Sequence, residues 1–180
     1  MQKLRLVAEV IDENGDVISN KTVSTKDINA PKEMLDIGYR HAEQIAILSR
    51  VQQIYIEEQI SVMEAPSSCP KCGGKLKSGG TMKSHFSAVF SDHTFRMRRH
   101  KCESCNSSCG KSSFHGMFGS YMHPDLARLQ IESSAKMSYR EASVELNKMS
   151  CSERKCNHHD GIKKLTYQVA EHINDNPDAQ

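Results

Sequence analysis

The sequence predicts an α+β protein in three successive parts: an N-terminal β-hairpin plus long helix (residues 1–66), a central zinc ribbon (67–123) and a C-terminal three-helix, helix-turn-helix-like segment (124–180). Three observations carry this reading. Apolar residues alternate with polar ones at the start of the chain, as in a half-buried strand. Two Cys-x-x-Cys pairs, Cys69/Cys72 and Cys102/Cys105, bracket the middle. After Pro124 the apolar residues recur at helical spacing behind recognisable caps.

The composition bounds these parts. The chain has 180 residues, 37% of them hydrophobic, and a mean hydropathy of -0.59, which fits a polar, soluble protein without a large catalytic core. No apolar run approaches the ~20 residues that cross a bilayer, and Met1–Val10 alternates instead of forming a secretory apolar stretch. Membrane and export are therefore not expected. Seven cysteines is an odd number, and their paired spacing argues for metal before disulfides, hence for a reduced, cytoplasmic setting. The net charge of +2 is segregated: -4 over residues 1–66, +7 over 67–123 and -1 over 124–180. A basic middle suggests a polyanionic partner, against the simpler account of a solvated basic loop.

In the first part, Leu4, Leu6, Ala8 and Val10 alternate with Lys3, Arg5 and Glu9. Asn14-Gly15 then offers the positive-φ pair of a tight hairpin turn, and Asp16–Ser24 is the return strand. Beyond Asp27 and Pro31 the pattern becomes a helix running to about Met63, with Leu48, Val51 and Tyr55 on one side and Ile47 and Ile54 beside them. The stripe is expected to pack within the chain in preference to a dimeric coiled coil, because Glu58 interrupts it. Ala65-Pro66-Ser67-Ser68 reads as a linker.

In the middle part, Cys69-Pro70-Lys71-Cys72-Gly73-Gly74 is a knuckle in which two thiolates converge on one ion while small residues let backbone amides approach the sulfurs. Cys102-Glu103-Ser104-Cys105 repeats the pair after 29 residues that hold a hairpin, His85–Phe90 and His93–His100 around Ser91-Asp92. The expectation is one closed, structural Zn2+ site on Cys69, Cys72, Cys102 and Cys105. The alternatives are reduced thiols or a redox pair, for which the βαβ context is missing. Cys109 is a free thiol or a helper near the site. With thiolates and zinc counted, the segment still carries about +5.

Its basic residues concentrate in Arg96-Met97-Arg98-Arg99-His100-Lys101. Alternation sets Arg96, Arg98 and His100 on one face and Arg99 and Lys101 on the other. Phosphate contact is the functional reading of Arg96, Arg98, Arg99 and Lys101, and an ordinary solvated strand is the plain one. Phe86, Phe90, Phe95, Phe114 and Phe118 are expected to form the ribbon's small core instead of stacking on bases.

In the last part, Pro124 with Asp125 opens a helix carrying Leu126 and Leu129, which breaks near Lys136. Ser138-Tyr139-Arg140-Glu141 is a capping box for a second helix with Ala142, Leu146 and Met149 inward. Asn157 with Asp160 is expected to cap a third, whose apolar side is Ile162, Leu165, Val169 and Ile173. A helix-turn-helix would present His158, His159, Lys163 and Lys164 to a major groove. Any three-helix bundle shares the pattern, and the -1 charge does not favour DNA. A second zinc on Cys151, Cys156, His158 and His159 has an uncommon spacing, so exposed polar residues are the simpler account.

The order of parts resembles the ISKra-type insertion-sequence transposases of bacteria. The likeness rests on Cys69-Pro70-Lys71-Cys72-Gly73, Arg98-Arg99-His100-Lys101-Cys102, Pro124-Asp125-Leu126-Ala127, Met137-Ser138-Tyr139-Arg140-Glu141-Ala142 and Val169-Ala170-Glu171. It implies a bacterial, cytoplasmic protein whose N-terminal region binds double-stranded DNA at the ends of a mobile element. In intact relatives a DDE catalytic domain of RNase H-like fold follows. That domain, with three acids holding two Mg2+ ions, would begin after the third helix. The chain thus looks like a truncated or split transposase, with no catalytic residues and no strand transfer expected of it. It would associate with itself or with a full-length transposase. The alternative is a protein-interaction or regulatory module in which the ribbon is a scaffold and the long helix recruits a partner such as a full transposase that it would inhibit.

Overall fold

Two antiparallel hairpins and five α-helices make up the described residues, 2–64, 66–109, 113–150 and 153–175, in the computed structural model of the chain. The architecture is mixed α+β, and the chain divides into two compact units, Met1–Met63 and Glu64–Gln180.

In the first unit, strands β1 (Gln2–Ile11) and β2 (Val17–Ile28) pair antiparallel from Gln2↔Ile28 to Ile11↔Val17, with register shifts at Leu6/Val7 and Val10/Ile11. The turn is longer than the expected two-residue form. Only Gly15 is left-handed, at φ +89°, and Asn14 is not. The cause is Asp12: its carboxylate accepts the amides of Asn14 and Asp16, each at 2.9 Å, while its own N–H donates to the Asp16 carbonyl at 2.9 Å.

Helix α1 spans His41–Ser61 and so begins well after Pro31. The intervening chain makes a 3-10 turn, Met34–Asp36, and then turns through Gly38 at φ +76°, a conformation no helix contains. The helix starts where Glu43 accepts the Arg40 amide at 2.7 Å; the same carboxylate takes Lys26 of β2 at 2.7 Å. Lys21 of β2 reaches Glu58 at 2.6 Å and Glu57 at 3.6 Å. Ile45, Ile54 and Ile56 are the buried positions of α1. The expected packing of Leu48, Val51 and Tyr55 is not realised: they are 46%, 45% and 63% exposed.

In the second unit, β3 (Leu76–Ser87) pairs with β4 (Asp92–Cys102) from Leu76↔Cys102 to Ser87↔Asp92. The first strand starts earlier and ends sooner than the expected His85–Phe90. An irregularity between Ser78 and Thr81 absorbs Gly79-Gly80, where the sequence looks broken, and Ala88–Ser91 forms the turn, closed by the Ala88 amide on the Ser91 carbonyl at 2.9 Å. His93, Phe95 and Met97 form the buried side of β4, opposite Phe86 and Ser84 of β3. Helix α2 (Phe114–Phe118) covers them. Phe114 lies 5.3 Å from the Phe86 ring and 5.8 Å from Phe95, and its amide donates to Ser84 Oγ at 3.0 Å. Phe90 stands outside this core, in the turn, and Phe118 joins it only at the rim, stacked 6.5 Å from the Phe114 ring yet 69% exposed.

Helices α3 (Pro124–Ser134), α4 (Tyr139–Lys148) and α5 (His159–Asp175) pack on one another around Ala142, Leu146 and Ile162, with Leu129, Met137, Tyr139 and Met149 against them. The capping box forms as the residue types require: Ser138 N–H donates to Glu141 Oε2 at 3.0 Å, and Glu141 N–H donates to Ser138 Oγ at 3.3 Å. Asn157 is not a helix cap. It is fully buried in a 3-10 turn, Lys155–Asn157, accepts from Gln130 Nε2 at 3.1 Å and donates to Asn147 Oδ1 at 3.1 Å, a polar knot that ties α3 and α4 to the turn leading into α5.

Next to that knot Arg154 fastens the helices to the hairpin turn. Its guanidinium donates to Asp92 at 2.7 and 3.2 Å, to the Ala88 carbonyl at 2.7 Å and to the Val89 carbonyl at 2.8 Å, with a side chain only 4% exposed. Burial acts to raise the pKa of Asp92, but the hydrogen bonds from Arg154 and Ser87 and the Arg154 charge outweigh it and hold the carboxyl below the usual carboxylate range. Arg154→Met should therefore cost roughly 2–3 kcal/mol in denaturant unfolding, since it strands an acid and two carbonyls. Because the native pKa is depressed, the wild-type advantage should persist above about pH 4 and fade as pH falls through the native value; the variant should lack that acid dependence.

Candidate metal centre and basic face

The two knuckles are built alike. In the first, Cys69 N–H donates to the Gly74 carbonyl at 2.9 Å and Gly73 N–H to the Cys69 carbonyl at 2.8 Å, with Gly73 at φ +69°. In the second, Cys102 N–H donates to the Ser107 carbonyl at 3.0 Å and Asn106 N–H to the Cys102 carbonyl at 3.1 Å, with Asn106 at φ +53°. Each pair thus sits on the same five-residue turn, whose fifth residue is left-handed. Glycine and asparagine are the residues that tolerate that conformation. Glu103 N–H, on the Lys75 carbonyl at 3.0 Å, joins one knuckle to the other. Gly74 suits this approach, since a Cβ there would lie 2.6 Å from Ser104 Oγ and 3.2 Å from both Ser104 Cβ and Cys102 Sγ, so the second knuckle would have to give way.

The result is a cluster of four sulfurs, those of Cys69, Cys72, Cys102 and Cys105, all within 4.8 Å of one another. Cys69 and Cys105 are 3.7 Å apart and Cys72 and Cys102 3.4 Å apart. These separations are too long for disulfides and close to the ~3.8 Å edge of a sulfur tetrahedron around a metal with 2.3 Å bonds. The four cysteines could hold a metal ion. Cys69 and Cys102 are buried while Cys72 and Cys105 face solvent, and Ser107 Oγ lies 2.9 Å from Cys105 Sγ and 3.6 Å from Cys69 Sγ. The Lys71 amide, then the Ser107 hydroxyl, bring the Cys69 thiol down to about 6. At Cys72 the Gly74 amide acts in the same direction, yet crowding by the other three sulfurs prevails and the thiol is pushed up to about 12.

Cys109 is buried but outside the quartet. His158, His159 and Asp160 bring ligand atoms within 4.8 Å of one another at the start of α5, and Cys156 is not with them; it lies 3.6 Å from Asp92. Both imidazoles stand 3.5 Å from the Asp160 carboxylate, and the positive end of the helix disfavours a cation there. Cys151 lies outside the described residues.

The hairpin separates the basic residues by face. Arg96 and Arg98 are exposed and project from the side opposite Phe95 and Met97, whereas Arg99 and Lys101 are half-buried on the other side. Arg99 Nη2 donates to Ser108 Oγ at 3.2 Å, and Lys101 pairs with Lys77. His100 is half-buried beyond Arg98. The register adds a residue the sequence reading missed: Lys83, exposed, lies directly opposite Arg96, with Thr81 opposite Arg98. Pairing Ser87 with Asp92 would have revealed it. On α5, Lys163 and Lys164 are exposed and His159 is half-buried. No helix among the described residues is long and apolar enough to cross a membrane. No family model, curated protein or solved structure matches the chain.

Gly74→Ala should destabilise the metal-loaded protein by about 1–3 kcal/mol, whereas Asn106→Gly should be neutral or slightly stabilising, both read from denaturant midpoints. Metal uptake should release protons, because Cys72 must lose its own, and metal affinity should weaken steeply as pH falls below about 6, where Cys69 also protonates. A pH-indicator titration with the metal measures the first and competition with a chelator the second.

Proposed function

We propose that the chain is a zinc-dependent DNA-binding region of the ISKra transposase type, which grips the duplex ends of an insertion element and carries no strand-transfer chemistry itself. Zinc is the metal of choice for four thiolates in a closed tetrahedron without an open position, a structural site by its donor set. Cys69, Cys72, Cys102 and Cys105 would hold it. Its work would be to close the open end of the hairpin and so fix the register of β3 against β4.

The single observation that carries the DNA reading is the exposed face of that hairpin, where Lys83, Arg96 and Arg98 stand together without an acidic neighbour across the strand pair. Three cations on a rigid, twisted two-stranded ribbon suit the phosphates beside a groove; they set affinity and orientation without reading sequence. Arg99 and Lys101 lie on the other face, so they would contribute field more than contact. The helix-turn-helix part of the proposal assigns base readout to Lys163 and Lys164 at the start of α5, with His159. The connection from α4 to α5 is longer than the usual three- or four-residue turn, and Asn157 within it is bonded to Gln130 of α3 and Asn147 of α4.

Purified, reduced protein should contain about one zinc per chain and bind duplex DNA with an affinity that drops steeply between two salt concentrations, as released counterions require. Replacing Lys83, Arg96 and Arg98 together with alanine should lower the slope of log affinity against log salt by about 3, uniformly across DNA sequences. A zinc-loaded protein with no affinity for DNA at low salt would refute the reading.

A further inference from the structure

The exposed face of the β3–β4 hairpin continues past Lys83, Arg96 and Arg98. The register sets His85 against Thr94, next in line to the Lys83–Arg96 pair, and both residues are exposed. Residues two apart on a strand share a face at a spacing of about 6.5 Å. The face therefore reads Thr81, Lys83, His85 along β3 and Arg98, Arg96, Thr94 along β4. Two other histidines of this region belong to the opposite side: His93 is buried there, and the His123 ring stands edge-on to Phe86 at 6.0 Å.

We infer that His85 is a fourth phosphate contact of this face, a neutral donor that becomes a cationic one when its ring takes up a proton; the inference rests on the DNA-binding reading. Thr94 Oγ1 lies 3.1 Å from His85 Nδ1. A hydroxyl can donate to Nδ1 of the neutral ring or accept from Nδ1–H of the charged one, so a phosphate oxygen at Nε2 can be offered an N–H in either state. The charges around the ring decide when it becomes a cation. Lys83 and Arg96, its neighbours on the face, oppose a further positive charge in the free protein, and a bound phosphate favours it. The acid at this end of the face, Asp92, is engaged by the Arg154 guanidinium at 2.7 and 3.2 Å, and the Cys156 thiol 3.6 Å from it is kept neutral by burial. The counter-ion for a charged His85 is then an anion from outside the chain. By reciprocity DNA binding takes up protons at His85, and affinity rises as pH falls through the imidazole range.

Affinity for duplex DNA at one fixed salt concentration, measured at about pH 6.5 and about pH 8 with zinc bound at both, tests the inference. The wild type should bind at least about threefold more tightly at the lower pH. His85→Gln, which keeps an N–H near the place of Nε2, should match the wild type at the higher pH and lose that gain. His85→Lys, charged at both, should bind at the higher pH as tightly as the wild type does at the lower. Position 85 is solvent-facing, so circular dichroism of both variants should match the parent. Equal wild-type affinity at the two pH values, the same gain retained in His85→Gln, or His85→Lys no tighter than the wild type at the higher pH would each overturn the role of His85 and leave the DNA reading standing. A zinc-loaded protein without affinity for DNA at either pH would overturn both.

Discussion

Four sulfurs held within 4.8 Å of one another are the constraint on which the second unit depends. Thiolates so close repel one another, and the opposed pKa displacements of Cys69 and Cys72 express this: they cannot all ionise together without a cation among them. The cluster sits at the open end of the β3–β4 hairpin, where Leu76 pairs with Cys102. Closing it therefore fixes more than a local turn. A slip of one residue along β4 would send Phe95 and Met97 outward and Arg96 and Arg98 into the core, so the metal end and the buried face specify the same register.

The opposite end of that hairpin is fastened by different chemistry. Arg154 brings a charge into a site where it is 4% exposed, and it is tolerated because every face of the guanidinium is used: two contacts to Asp92 and one each to the carbonyls of Ala88 and Val89. Such a group adds less to stability than to specificity of docking, since removing one partner costs far more than the pair contributes. Its effect is to set the three-helix cluster against the hairpin turn in one geometry, and the Gln130–Asn157–Asn147 chain continues that geometry into the helices. The exposed arginines of β4 and the exposed lysines of α5 thus belong to one unit.

What was legible in the sequence was local. The knuckles were visible because ligand spacing is short-range, the Ser138–Glu141 box because both partners lie in one turn, and β4 because its alternation is unbroken from His93 to Arg98. What escaped depended on residues far apart. Arg154 contacts a turn 62 or more positions away, and Asn157, by type a good cap, is drawn inward by Gln130 and Asn147. Gly38 and the Gly79-Gly80 pair carry their meaning in backbone conformation: a left-handed turn delays α1, and an irregularity prolongs β3. Leu48, Val51 and Tyr55 show the limit of periodicity, which finds an apolar face but says nothing of what it meets.

The first unit stands on a different footing. Its buried apolar side chains among the described residues are Ile45, Ile54 and Ile56, while its exposed ones include Leu4, Val7, Ile11, Val17 and Ile18 on the hairpin besides those of α1. The ion pairs of Lys21 and Lys26 cannot replace a core, because solvent screens pairs this exposed. They select the position of the helix along β2 without holding it there. A two-stranded hairpin is marginal alone, so this unit depends on the packing of α1 against β2. Leu48, Val51 and Tyr55 are therefore surface that the folding of this unit leaves exposed, interrupted by the Glu58 carboxylate that Lys21 engages.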